Sequence, residues 1–140
     1  QAGIMRAQLR RLPDLLAARS HAAEVYAAGL GDLDALTLPV ALDDRTHPWQ
    51  SYVITLDPAL DRGRVAIALR EQGVGCNFGT YASHVQPVYG VAPERRCPVS
   101  ADLFDRHLAI PMHANLTYDD LHHVIDTVRA VVGSAAVRSR

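Results

Sequence analysis

The residues best equipped for chemistry lie together in one short run, Gly75-Cys76-Asn77-Phe78-Gly79-Thr80-Tyr81-Ala82-Ser83-His84-Val85-Gln86-Pro87-Val88-Tyr89-Gly90. Hydroxyls, an imidazole and two side-chain amides crowd into it, with too little apolar periodicity for a core helix or strand. Such a segment is a loop that a rigid body presents to a ligand, or a turn-rich structural connection. Thr80, Tyr81, His84 and Gln86 combine donors and acceptors of the kind that bind a hydroxyl-rich molecule such as a sugar.

Other chemistries find weaker support. Seven histidines invite a zinc site, with His84 and His113 as its centre. No H-x-x-x-H or H-E-x-x-H spacing occurs, and the adjacent His122 and His123 point about 100° apart on a helix. No G-x-S-x-G elbow, G-x-G-x-x-G or Walker loop is present. Cys76 and Cys97 lack C-x-x-C spacing, so two reduced thiols are expected, with a single bridge left open. All 14 basic residues are arginine. A chain without lysine cannot supply a Schiff-base amine from its own side chains.

Elements that position the loop follow from periodicity. Residues 2–30 carry Leu9, Leu12, Leu16, Ala23, Tyr26 and Leu30 as an amphipathic helical stripe, which Pro13 kinks or divides. Gly29 and Gly31 are expected to end it as left-handed caps. Residues 36–40 form a short edge strand; in residues 49–56, Tyr52, Ile54 and Leu56 alternate as a strand. Asp61 caps a helix over residues 62–72 that stops at Gly73. Residues 74–78 are expected to be a second central strand, and residues 91–98 an exposed connection. Ser100 is expected to cap a helix through Arg106, followed by a strand over residues 107–112. Thr117 and Asp120 then open a final helix expected to end at Gly133.

These elements predict an α+β sandwich, a small and mostly antiparallel sheet with helices packed on one face. One domain is expected, with residues 1–31 as helical lead-in, 36–133 as the αβ body and 134–140 as a frayed tail. A net charge of -1 gives no electrostatic footprint for nucleic acid or an anionic membrane. Apolar runs fall short of a bilayer span and no signal segment opens the chain, so a cytoplasmic location is expected.

Several of these runs, taken together, resemble one family. His47-Pro48-Trp49-Gln50-Ser51-Tyr52-Val53-Ile54, the Asp61-Arg62 helix start, Gln72-Gly73-Val74, Tyr81 to Tyr89, Cys97 to Leu103, Leu108 to His113 and Leu116 to Asp120 follow the order of the C-terminal domain of the DegT/StrS sugar aminotransferases. Gln8-Leu9-Arg10-Arg11-Leu12 is similar to the helix after the family's Asn-x-Arg-Met segment. The resemblance implies the small domain of a fold-type I enzyme, usually a homodimer. Such enzymes use pyridoxal 5'-phosphate to move an amino group from glutamate or glutamine onto a keto-sugar nucleotide. It places Tyr81, His84 and Gln86 toward the substrate, with His84 at the histidine of a Tyr-Pro-x-Pro-Leu-His-x-Gln-Pro pattern; Ala82-Ser83 departs from it. His47 and Pro111 match scaffold positions. The family's large domain, with the cofactor lysine and the aspartate at the pyridine nitrogen, is not among these 140 residues. No cofactor is therefore expected to bind this chain alone. Two readings stand beside this one: an interaction or dimerisation module that pairs with a separately encoded large domain, and a metal-binding domain.

Overall fold

The structure is a computed structural model that describes residues 1–89 and 97–138. Two helices open it, α1 (Ala2–Arg10) and α2 (Leu12–Leu30), and Pro13 sits in the first turn of α2, where its missing N–H costs nothing. The apolar stripe splits further along α2, between Leu16 and Ala23. Ala23, Tyr26 and Leu30 are buried, whereas Leu9, Leu12 and Leu16 remain 63%, 42% and 37% exposed. Neither glycine is a left-handed cap. Gly31 has φ -68°, and Gly29 lies within α2 against α5 (Tyr118–Arg138), where an added Cβ would fall 2.6 Å from Ile125 Cδ1.

Four strands follow: β1 (Leu36–Thr37), β2 (Tyr52–Leu56), β3 (Asn77–Phe78) and β4 (His107–Ile110). They form one antiparallel sheet in the order β1-β2-β4-β3. The expected second central strand is instead a two-residue edge strand, and the segment from 107 takes the centre. Leu108 and Ile110 are buried there, and β4 pairs on both sides. Val74 is buried but lies outside the ladder. Helix α3 (Arg62–Glu71) joins β2 to β3, and Asp61 Oδ1 accepts from the Arg64 N–H at 2.9 Å to cap it. Gly73 beyond it has φ +81°, a conformation that favours glycine.

Helix α4 (Pro98–Arg106) starts one turn before expectation: proline at its first position already has the helical φ, and Cys97 rather than Ser100 precedes it. Of the expected connection, residues 91–96 lie outside the described residues. Helix α5 opens on Thr117 and Asp120 as read, but it passes through Gly133 to Arg138. A glycine costs a helix only about 1 kcal/mol, and Ser134 Oγ donates to the Val131 carbonyl at 2.9 Å just beyond it.

One core results. Tyr52, Ile54 and Leu56 of β2 and Leu108 and Ile110 of β4 face Tyr26, Leu69, Val128 and Val132 from α2, α3 and α5. Each fully buried aliphatic side chain there contributes about 1.5–3 kcal/mol. Tyr26 ties the layers together, its hydroxyl donating to the Pro111 carbonyl at 2.8 Å. Val53, Thr55, His107 and Ala109 alternate onto the second face of the sheet and are half-buried. No helix among the described residues is long and apolar enough to cross a membrane.

Candidate functional site

The chain leaves β3 and crosses the second face at once. Gly79 N–H donates to the His107 carbonyl at 3.3 Å. An added Cβ at Gly79 would lie 2.3 Å from Val53 Cγ1 and 2.8 Å from His107 Cβ. Only a residue without a side chain lets the backbone pass that close. Residues 79–89 thus run on from the sheet face opposite the helical core, as two short 3-10 turns, Ser83–Val85 and Pro87–Tyr89.

All four expected contact residues sit on this segment. Tyr81 is 67% exposed, its ring edge-on to Phe78 at 5.7 Å. Thr80, His84 and Gln86 are half-buried, while Ala82 is buried and pins the segment down. Gln86 Nε2 donates to the Ala82 carbonyl at 3.2 Å, closing the turn that carries His84. The Nε2 atom of His84 is shut from solvent and has no hydrogen-bond partner among the described residues.

Sequence reading missed the anchor beneath the loop. Arg62, the first residue of α3, lies between two rings, 4.3 Å from the Phe78 centroid and 4.8 Å from that of Phe104, and it donates to the Phe104 carbonyl. This stack joins α3, β3 and α4 at the base of the loop. Nothing in sequence spacing signals it, because the three residues come from three separate elements. His107, under Gly79, is held below the usual imidazole range by burial and, secondarily, by Arg106. It therefore stays neutral near pH 7.

The remaining candidates disperse. No group of three or more His, Cys, Asp or Glu side chains that could hold a metal ion is present among the described residues, and His84 and His113 join no such group. Both cysteines are free; burial pushes the Cys76 thiol up, and its Sγ donates to the Ala66 carbonyl at 3.5 Å. His47 caps a turn, its Nδ1 accepting the Trp49 N–H at 3.0 Å, in keeping with a scaffold position.

The architecture is that of a small domain in larger enzymes. It superposes on the aminotransferase TlmJ from Streptoalloteichus hindustanus with TM-score 0.84 and 30% identity, over 94% of this chain and 35% of that one. For DesV from S. venezuelae the TM-score is 0.83 and the identity 25%, over 94% and 36% of the two chains. The spore coat polysaccharide biosynthesis protein SpsC of Bacillus subtilis (strain 168) is 28% identical over 96% of this chain and 36% of its own length. Residues 1–129 match the DegT/DnrJ/EryC1/StrS aminotransferase family, and the chain belongs to it. It spans about a third of the length of these relatives.

For pyridoxal 5'-phosphate, which that family implies, the described residues supply no anchoring amine. The chain has no lysine to anchor an aldehyde. A cavity of about 240 Å³ between α3 and α5 offers one cation, Arg64, beside the carboxylate of Asp61, and a larger one between α2 and residues 39–49 offers no arginine. Neither is a phosphate cradle.

Proposed function

We propose that this chain is the substrate-side domain of a pyridoxal 5'-phosphate-dependent aminotransferase that acts on a keto-sugar nucleotide in amino-sugar, polysaccharide or natural-product biosynthesis. In this reading Thr80, Tyr81, His84 and Gln86 contact the sugar, His84 through the part of its half-buried ring that solvent reaches. The observation that carries it is the family match over residues 1–129. The loop's position on the sheet face away from the core helices α2, α3 and α5 supports it. The cofactor is held by a lysine-bearing large domain, continuous with this one or separately encoded, within a cytoplasmic homodimer. This chain orients the substrate and does not catalyse alone; glutamate or glutamine is the amino donor.

The test is kinetic, on a protein that combines this domain with a lysine-bearing large domain of the family. His84→Ala and Gln86→Ala should each lower kcat/KM roughly ten- to a hundredfold, the equivalent of about 1.5–3 kcal/mol of lost hydrogen bonding, with cofactor content unchanged. Unaltered kcat/KM in both variants contradicts the assignment.

One observation favours a second role on another surface. Ile4, Met5, Leu9, Leu12 and Leu16 form an exposed apolar stripe along α1 and the start of α2. It suits docking to a large domain or to a second copy of the chain. Leu9→Glu with Leu12→Glu should then abolish self-association, or binding to the large domain, in sedimentation measurements. Unchanged association removes this reading.

A further inference from the structure

The Phe78 ring has three neighbours that bear on its orientation. The Arg62 guanidinium lies over it at 4.3 Å from the centroid, the Phe104 ring is tilted against it at 5.9 Å, and the Tyr81 ring meets it edge-on at 5.7 Å with 88° between the planes. Arg62 is held in turn, 4.8 Å from the Phe104 centroid and donating from Nη1 to the Phe104 carbonyl. No carboxylate pairs with Arg62 among the described residues, so the half-buried guanidinium is engaged by rings and a carbonyl rather than by a salt bridge. Tyr81 depends on this arrangement. Phe78 is its one ring contact among the described residues, and Tyr81 is otherwise 67% exposed.

We propose that Arg62 is a positioning residue for Tyr81. The guanidinium and Phe104 fix the angle of the Phe78 ring, and Phe78 fixes Tyr81 through an edge-to-face contact, the arrangement that aromatic quadrupoles favour. The exposed phenol is thereby presented in one orientation, two residues before the Ser83–Val85 turn that carries His84. A side chain ordered before binding loses less freedom when a ligand arrives. The role calls for a guanidinium, which is weakly hydrated and can stack on a ring while donating at its edge; an ammonium is a compact, strongly hydrated charge on a flexible stem. The inference rests on the proposed function only for the identity of the ligand that Tyr81 meets. The ring geometry belongs to this chain alone.

The test uses the 140-residue chain as wild type, Arg62→Met, Arg62→Lys and Phe104→Leu, and measures the nuclear Overhauser contact between the Phe78 and Tyr81 rings. The contact should be present in wild type and lost in Arg62→Met, and Arg62→Lys, which keeps the charge, should not restore it. Phe104→Leu leaves the acceptor carbonyl in place and should weaken the contact without removing it. A role in stability alone would lower the unfolding midpoint and leave the ring contact intact. In titrations with a keto-sugar nucleotide, Arg62→Met should weaken binding roughly three- to tenfold. The same change made in a Tyr81→Ala background should weaken it no further, because a residue that acts through another is not additive with it. A ring contact retained in Arg62→Met, full restoration by lysine, or an affinity loss that persists in the Tyr81→Ala background overturns the proposal. If Arg62→Met does not fold, the lysine and leucine variants decide by the same contact. A wild-type chain that binds no sugar nucleotide contradicts the proposed function instead, and the ring contact then decides the role of Arg62 by itself.

Discussion

Gly79 passes so close over Val53 that a side-chain carbon added to it would lie 2.3 Å from Val53 Cγ1. The candidate loop therefore begins from a fixed point on the sheet. Gly79→Ala must push the backbone off that face, with a cost of about 1–3 kcal/mol, as for other overpacked sites. Gly75, where an added Cβ meets nothing within 4 Å, is the control. Thermal unfolding should show a lowered midpoint for Gly79→Ala and a shift near zero for Gly75→Ala. Equal midpoints for the two would show that the loop is not clamped there.

Helix α5 depends on a reciprocal cap. Asp120 Oδ2 accepts from the Thr117 amide at 2.9 Å and from its hydroxyl at 2.7 Å, and Thr117 Oγ1 accepts from the Asp120 amide at 3.2 Å. Thr117→Ala should cost about 1 kcal/mol in denaturant unfolding. The hydrogen bonds from the Thr117 side chain and amide hold the Asp120 carboxyl below the usual carboxylate value of 3.8. A depressed folded pKa gives a stabilising contribution that is complete above the unfolded value and lost as pH falls through the folded one. Asp120→Asn should flatten the acid limb below about pH 4. An acid limb identical to wild type would exclude this cap as a source of the pH dependence.

Above about pH 10 the alkaline limb is assigned to two buried phenols, and the raised Cys76 thiol contributes in the same sense from lower pH. Burial pushes Tyr52 up to about 12 and Tyr26 still higher, the latter aided by Tyr52 and Asp120. Both folded values lie above the unfolded value near 10, so the stabilisation is complete below about pH 10 and lost as pH rises toward the folded values. Over that window each tyrosine removes about 1.4 kcal/mol per pH unit. Tyr26→Phe should make the decline above pH 10 shallower. It should also cost about 1 kcal/mol at pH 7, because the Pro111 carbonyl loses its donor. Stability measured against pH in the two proteins decides; parallel curves above pH 10 would rule out Tyr26 as a contributor.

What the sequence made legible was periodic or locally capped. The alternation Tyr52, Ile54, Leu56 survives as buried positions of β2, and the Asp61 and Thr117 caps appear where their spacing placed them. What it concealed depends on partners distant along the chain. Residues 74–78 read as a second central strand, but centrality belongs to strands that pair on both sides, and those are β2 and β4. Gly133 read as a stop, yet a helix ends only when its surroundings cease to favour it, and α5 continues to Arg138. The candidate loop was visible through its composition. Its anchor, Arg62 between Phe78 and Phe104, was not, since stacking leaves no mark in sequence spacing.

In the proposed function, residues 80–86 meet the sugar while cofactor attachment lies outside this chain. Amide chemical shifts of the 140-residue protein, recorded during separate titrations with a keto-sugar nucleotide and with pyridoxal 5'-phosphate, test both halves in one experiment. Saturable shifts are expected at Thr80, Tyr81, His84 and Gln86 with the sugar nucleotide and none there with the cofactor. Shifts at those residues with the cofactor, or sugar-nucleotide shifts that leave them untouched and appear elsewhere, would contradict it.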